Sequence, residues 1–200
     1  TYETNKINLL SNPTSLYTKQ PTVYYGLMYL AKNAKKEVKI HTPYIICNDY
    51  MYNELKNIKV PTTIMTNSAE NNGNIFGAVD YLNHKKDIIN TGVTIKEYEG
   101  GISYHGKSMT IDDDIAIVGS FNMDMRSAYL DTELMLVIRS SEINKQLEEG
   151  MMTYEKMSRQ VLEDGTYNNP YNVEPIALTK KKQIKILLVQ HLLGWVRFLF

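Results

Sequence analysis

Between Tyr104 and Asn122 the chain reads strand, tight turn, strand, tight turn, and this stretch limits the fold more than any other. The period-2 run from His105 to Ile111 is that of a strand, which sets His105 and Lys107 on the same face. Asp112-Asp113-Asp114 turns the chain, and Ile115-Ala116-Ile117-Val118 is a short apolar strand. Gly119-Ser120-Phe121-Asn122 is a second turn that offers a hydroxyl and an amide. Two hydrogen-bonding side chains, Ser120 and Asn122, thus come to the end of the strand that neighbours His105.

That geometry suits phosphate chemistry. A histidine can attack phosphorus through a ring nitrogen, while a lysine two residues along holds a point charge against the phosphate oxygens as negative charge develops. Neither job needs a metal, so no metal and no cofactor is expected.

The pattern His105, Lys107, Asp112 (H-x-K-x4-D), followed by Gly119-Ser120-Phe121-Asn122, resembles the phospholipase D superfamily. The longer run from Gly119 through Met123-Asp124-Met125-Arg126-Ser127, with Asp131-Thr132-Glu133 beyond it, looks like the bacterial cardiolipin synthase-like branch. The resemblance implies an α-β-α sandwich in which two such motifs meet across a pseudo-twofold axis. One histidine then forms a covalent phosphohistidine and the other protonates the leaving alcohol. Carried over position by position, it makes His105, Lys107, Asp112 and Glu133 the candidate catalytic set, with Glu133 orienting the imidazole. Asp112, at the far end of the motif strand, is expected as an anchor or charge partner rather than a proton carrier. Lys107 and Asn122 would bind the non-bridging phosphate oxygens, with Ser120 supporting them. Tyr44, in Thr42-Pro43-Tyr44, is a candidate substrate contact, the alternative being a packed structural tyrosine.

His41, His84 and His191 do not repeat the pattern, so the second histidine must come from elsewhere. Residues 1–18 are polar and broken by turn residues, reading as a linker from an upstream half. A homodimer is the alternative. Residues 19–165 carry the catalytic domain and 166–200 a C-terminal extension.

Strand-like and helix-like periods alternate along the chain, giving an α/β class with a mixed or mainly parallel sheet and helices on both faces. Apolar stripes place helices at 21–36, 49–58, 75–90 and from Ser141, the last with Ile143, Leu147, Met151, Tyr154, Met157 and Val161 on one face. Val38 to Cys47 reads as a central strand whose Pro43 marks an exit or bulge, and the single Cys47 as a buried thiol in a reducing compartment. The loop 67–74 is polar and yields no site candidate. After Lys180-Lys181-Lys182 comes an apolar segment with Trp195 and Phe198. It fits either a basic helix lying in a membrane interface or a helix docked on the protein's own surface.

Lys plus Arg balance Asp plus Glu, 22 against 22, so no whole-chain basic field attracts nucleic acid. The expected substrate is a phospholipid headgroup, most simply in phosphatidyl transfer of the cardiolipin synthase type, by a cytoplasmic protein peripherally associated with the membrane. A nuclease-type phosphodiesterase acting as a homodimer and a non-catalytic scaffold half are the rival classes.

Overall fold

The computed structural model describes residues 6–15, 17 and 19–199, the side chains of 191–196 and 198 excepted. In chain order the elements are β1 (Lys6–Ser11), α1 (Thr22–Lys32), β2 (Val38–His41), β3 (Ile45–Ile46), α2 (Asp49–Lys56), β4 (Thr62–Asn67), α3 (Ile75–Ile89), β5 (Thr94–Tyr98) and β6 (Ser108–Ile111). They continue with β7 (Ile115–Gly119), β8 (Met123–Asp124), α4 (Met125–Tyr129), β9 (Leu134–Arg139), α5 (Ser141–Glu155), β10 (Ser158–Val161), β11 (Tyr167–Asn168) and α6 (Lys180–Val196). Among the described residues one large sheet runs in the order β1-β9-β7-β6-β2-β4-β5-β10-β11, and β3 pairs with β8 beside it.

This is the expected α/β sandwich. The sheet is mixed, with parallel pairing inside it confined to β2, β4 and β5, the strands joined by helical crossovers. The β6–β7 hairpin and the strands on both flanks pair antiparallel. Alternation along β2 shows how the sheet is covered. Val38 and Ile40 point into the core that α1 and α2 share with Leu27, Met51, Leu55 and Ile64. Lys39 and His41 point the other way and pair with Glu148 and Glu155 of α5. Each fully buried aliphatic side chain in that core contributes about 1.5–3 kcal/mol.

Helix starts follow their capping residues. Asn48, Asn74 and Ser140 accept backbone N–H groups at the first turns of α2, α3 and α5, each removing an orphan donor. Gly92, at φ +85°, turns the chain out of α3 toward β5.

Several expectations change. Residues 6–11 are no loose linker: they form an edge strand paired along its length with β9. Asn12 then donates to Ser127 O (2.7 Å) and accepts from Val23 N–H (3.0 Å), sewing the segment into the domain. Residues 1–5, 16 and 18 of that expected linker lie outside the described residues. The strand read over 38–47 is cut at Thr42-Pro43-Tyr44, where proline has no N–H for the ladder, and Ile45–Ile46 pairs with β8 instead. The strand read from His105 begins only at Ser108. The helix expected from Ser141, α5, is capped by Ser140 and ends at Glu155, so Met157 and Val161 do not belong to its stripe. Ser158–Val161 pairs with β5 instead, which periodicity alone could not separate from a helix tail.

The C-terminal helix α6 docks on α3. Ile186 is buried against Val79, with Ile75, Phe76 and Val189 packed around them. Arg197 pairs with the buried Asp80 at 2.6 Å and donates to Cys47 O at 2.7 Å. Lys182 donates to the carbonyls of Glu70 (2.6 Å) and Asn72 (2.8 Å). Ile184 and Leu188 remain exposed on the outer side. No described helix is long and apolar enough to cross a membrane. The side chains of Trp195 and Phe198 lie outside the described residues.

Candidate active site

The C-terminal ends of β2, β4, β5 and β7 and the starts of β6 and β9 lie along one edge of the sheet, where open α/β sheets collect their ligands. His105 and Lys107 stand on the segment that enters β6 at this edge. The Lys107 Nζ is 3.2 Å from both His105 ring nitrogens and donates to the His105 carbonyl at 2.8 Å. Burial and the neighbouring Lys107 charge hold the His105 imidazole below the usual histidine value, which keeps it neutral near pH 7. Burial also lowers Lys107, while Glu133 and Asp124 pull it back up. A neutral imidazole beside a fixed ammonium is thus presented to solvent.

The neighbouring turn is built for close approach. A Cβ at Gly119 would collide with the Leu134 carbonyl oxygen and Met135, so only glycine lets β7 end there. Phe121 is buried against Tyr24 (ring centroids 6.1 Å), which anchors the turn. Ser120 donates to the Glu133 carboxylate and accepts the Leu134 N–H at 3.1 Å. The Asn122 amide donates to Ser127 Oγ at 3.3 Å, and its Oδ1 is buried without a hydrogen-bond partner among the described residues.

Two carboxylates of the predicted set hold the frame around the site. Both Glu133 oxygens are taken by hydroxyls, one by Ser120 and the other by Ser127 at 2.9 Å, so Glu133 braces the turn and adds charge near Lys107 instead of bonding the His105 ring. Asp112, expected as an anchor or charge partner, stands at the opposite end of β6, with positive φ (51°). Its carboxylate accepts the backbone N–H groups of Lys35 (3.0 Å), Lys36 (2.7 Å) and Glu37 (3.3 Å), tying the α1–β2 loop to the β6–β7 turn. Burial pushes its carboxyl up, yet these donors hold it below the usual range. Tyr44 packs its ring base over Gly77 of α3, and burial raises its phenol.

A depressed carboxylate contributes stability above its unfolded value, about 3.9, and loses it as pH falls through the lower folded value. Asp112→Ala should therefore destabilise the fold by about 1–2 kcal/mol at pH 7, the figure reduced for partial solvent exposure. The difference from wild type should begin to shrink as pH falls below about 4 and vanish only below the depressed folded value, and turnover should be unchanged. Denaturant midpoints at pH 7 and pH 3, with one rate assay, check all three.

A family model described as cardiolipin synthase, phospholipase D-like domain, matches residues 27–153, well over half of the chain and the whole of this edge. The chain belongs to that family. Curated relatives include cardiolipin synthase 1 of Staphylococcus epidermidis, 32% identical over 128 residues, covering 62% of this chain and 26% of the relative. Cardiolipin synthase of Staphylococcus aureus is 30% identical over 133 residues, covering 65% and 26%. The chain therefore spans about a quarter of the length of these relatives. Two solved structures share the fold. Nuc of Salmonella typhimurium, a phospholipase D family member, has TM-score 0.60 at 16% identity, covering 78% of this chain and 97% of Nuc. Phosphatidylserine synthase of Haemophilus influenzae has TM-score 0.66 at 16% identity, covering 97% of this chain and 48% of its own.

In this phospholipase D-like domain the sequence reading missed three residues of the site's frame. Asn67, at the end of β4, is 1% exposed and clamps the backbone just before His105. It accepts the Tyr104 N–H at 2.8 Å and donates to the Tyr104 carbonyl at 2.9 Å and the Pro43 carbonyl at 2.8 Å. Ser127 joins Asn122, Asp124 and Glu133 in one buried network. Within it, burial pushes the Asp124 carboxyl up to about 6 against its bonds from Ser127. Asn67 carried one signal, an amide at the end of an apolar strand, but nothing in the sequence said that β4 ends beside β6. His41, which does not repeat the motif, is 1% exposed and bonds Glu155 at 3.2 Å.

Because the segment bearing His105 has no strand pairing of its own, its position depends on this clamp. Asn67→Ala should lower kcat about 10- to 100-fold, as misplacement of a reacting group by an ångström does, with KM nearly unchanged. Asn67→Asp keeps the acceptor and loses both donated bonds, and should fall between. Steady-state kinetics on the two variants decide this.

Proposed function

We propose that this chain supplies one half of a phosphodiester-exchanging site that acts on phospholipid headgroups, most simply phosphatidyl transfer of the cardiolipin synthase type. The observation that carries this reading is the Lys107 ammonium held against the neutral His105 imidazole at the open edge of the sheet. The match of the surrounding residues to the cardiolipin synthase domain family supports the lipid substrate.

In the proposed reaction a His105 ring nitrogen attacks the phosphorus of phosphatidylglycerol while the bond to glycerol oxygen breaks. A second histidine, supplied by an upstream half or a second copy, gives its proton to the departing glycerol. The phosphohistidine is then attacked by the hydroxyl of a second lipid, which returns its proton to that histidine, and His105 is released. Lys107 faces the non-bridging oxygens throughout, where charge develops. The Asn122 amide, freed from Ser127 by a small rotation, and the Ser120 hydroxyl lie where they would add donors. Exposed Ile184 and Leu188 on α6, flanked by Lys181 and Lys185, suit contact with an anionic membrane surface, which brings lipid to the site.

The test is product analysis on vesicles of labelled phosphatidylglycerol. Cardiolipin and free glycerol in equal amounts support the transferase. Phosphatidic acid with glycerol would make water the acceptor. Cleavage of nucleic acid with no lipid turnover would overturn the lipid reading.

A further inference from the structure

A cavity of about 400 Å³ opens where α3 and α6 both begin. Gly73 and Ile75 form one wall, and Thr179, Lys181, Lys182 and Lys185 the other. The polar loop 67–74, which offered no site candidate in the sequence, becomes a wall only when α6 folds onto it. No Asp or Glu lines the cavity, and none of its three lysines pairs with a carboxylate among the described residues. Lys182 is fixed in place. Its Nζ donates to the carbonyls of Glu70 (2.6 Å) and Asn72 (2.8 Å), which leaves one N–H free and the charge without an ion pair. Burial lowers its pKa against the pull of Glu70, as expected of an ammonium set among neutral acceptors. A partly buried charge without a partner is costly, and an anion in the cavity removes that cost.

We infer that this cavity binds a phosphate group, that of an anionic phospholipid headgroup, at a site separate from His105. Only the lipid source of the phosphate rests on the function proposed above. The chemistry follows from the donors. Three lysines supply point charges of the kind that hold phosphate, and the first turns of two helices add their positive ends. The lipid source follows from the outer face of α6. Lys181, Ile184, Lys185 and Leu188 keep the i, i+3, i+4, i+7 pattern of one helix face, and Ile184 and Leu188 are each more than half exposed. A phosphate held by the lysines thus sits beside apolar side chains that suit the acyl boundary. The cavity also adjoins the catalytic edge. Gly73 N–H donates to Ser103 Oγ at 3.0 Å and the Asn71 amide to the Ile102 carbonyl at 3.3 Å, on the segment that carries His105. A lipid anchored here holds the membrane surface against that edge while another lipid reacts.

The experiment uses His105→Ala protein of native length, which needs no turnover, with vesicles at a concentration that binds all of it. The vesicles carry phosphatidylglycerol with a photoreactive group on its glycerol. After irradiation, peptide mapping should find the label on residues 72–75 and 179–185. Lys181→Ala should lower that label about tenfold, the loss of one charge-assisted bond. Lys180→Ala makes the same charge change one residue away, outside the cavity lining, and should leave the label unchanged. Both side chains are exposed, so neither variant should move the thermal midpoint. Equal loss in the two variants, or no label on these peptides, overturns the site. A phosphatidylcholine analogue with the same photoreactive group should label weakly, and equal labelling by it overturns the preference for an anionic headgroup. Full displacement of the label by millimolar inorganic phosphate would make free phosphate the ligand and overturn the lipid source. Failure of the proposed reaction would register in the product assay alone.

Discussion

His105→Ala should abolish turnover, with a loss of at least about 10³-fold in kcat and little change in lipid binding, because an attacking group acts only in the transition state. The structure gives this residue no other task. It is exposed, bonds no core group, and its neighbours on the chain are held by Asn67 without its help. The variant should therefore fold as the wild type does. The pH profile carries a sign as well. The imidazole must be neutral to attack, and burial with the Lys107 charge sets its pKa below 6.5. The rate should fall on the acid side of that value and stay flat through pH 7. An alkaline limb in its place would assign His105 to proton donation.

Lys107→Met, close in volume and without charge, is expected to lower kcat by about 10²–10³-fold, the loss seen when one fixed donor to a developing oxyanion is removed. The Lys107 Nζ sits 3.2 Å from the ring nitrogens, so a phosphorus approaching either nitrogen has the cation beside its oxygens. Lys107→Arg should recover only part of the rate, since the wider planar fork does not reproduce a point charge at that place. The same substitution to Met should raise the pKa of His105, because one of the two causes that lower it is gone. The acid limb should shift upward, and a pH series on the two variants reads both effects.

The sequence was most informative where chemistry and local period coincide. His105, Lys107, Ser120 and Asn122 were legible because a strand–turn–strand carries them within 18 residues and the hairpin closes locally. Gly119 needed no long-range knowledge either, since a turn of Gly-Ser-Phe-Asn announces itself. Asp112 was legible as a pattern member, but its partners, the backbone of Lys35 to Glu37, lie more than 70 residues away. Glu133 was expected on the imidazole and is instead held by Ser120 and Ser127, an outcome decided by how β7 and β9 pair. Asn67 stayed hidden for the same reason: its clamp exists only once β4 and the β5–β6 connection come together. β1 was read as a linker because Lys6 to Ser11 lacks a strong alternation. Its identity comes from β9, which offers an open edge for it.

The most direct test of the account is to trap its covalent intermediate. The protein, completed by its second unit, is mixed with phosphatidylglycerol, quenched in alkali within the first turnover, digested, and the His105 peptide weighed. The account predicts a phosphatidyl group on a His105 ring nitrogen, labile to acid and absent from His105→Ala. Full turnover with an unmodified His105 peptide, or an adduct on Ser120, would contradict it.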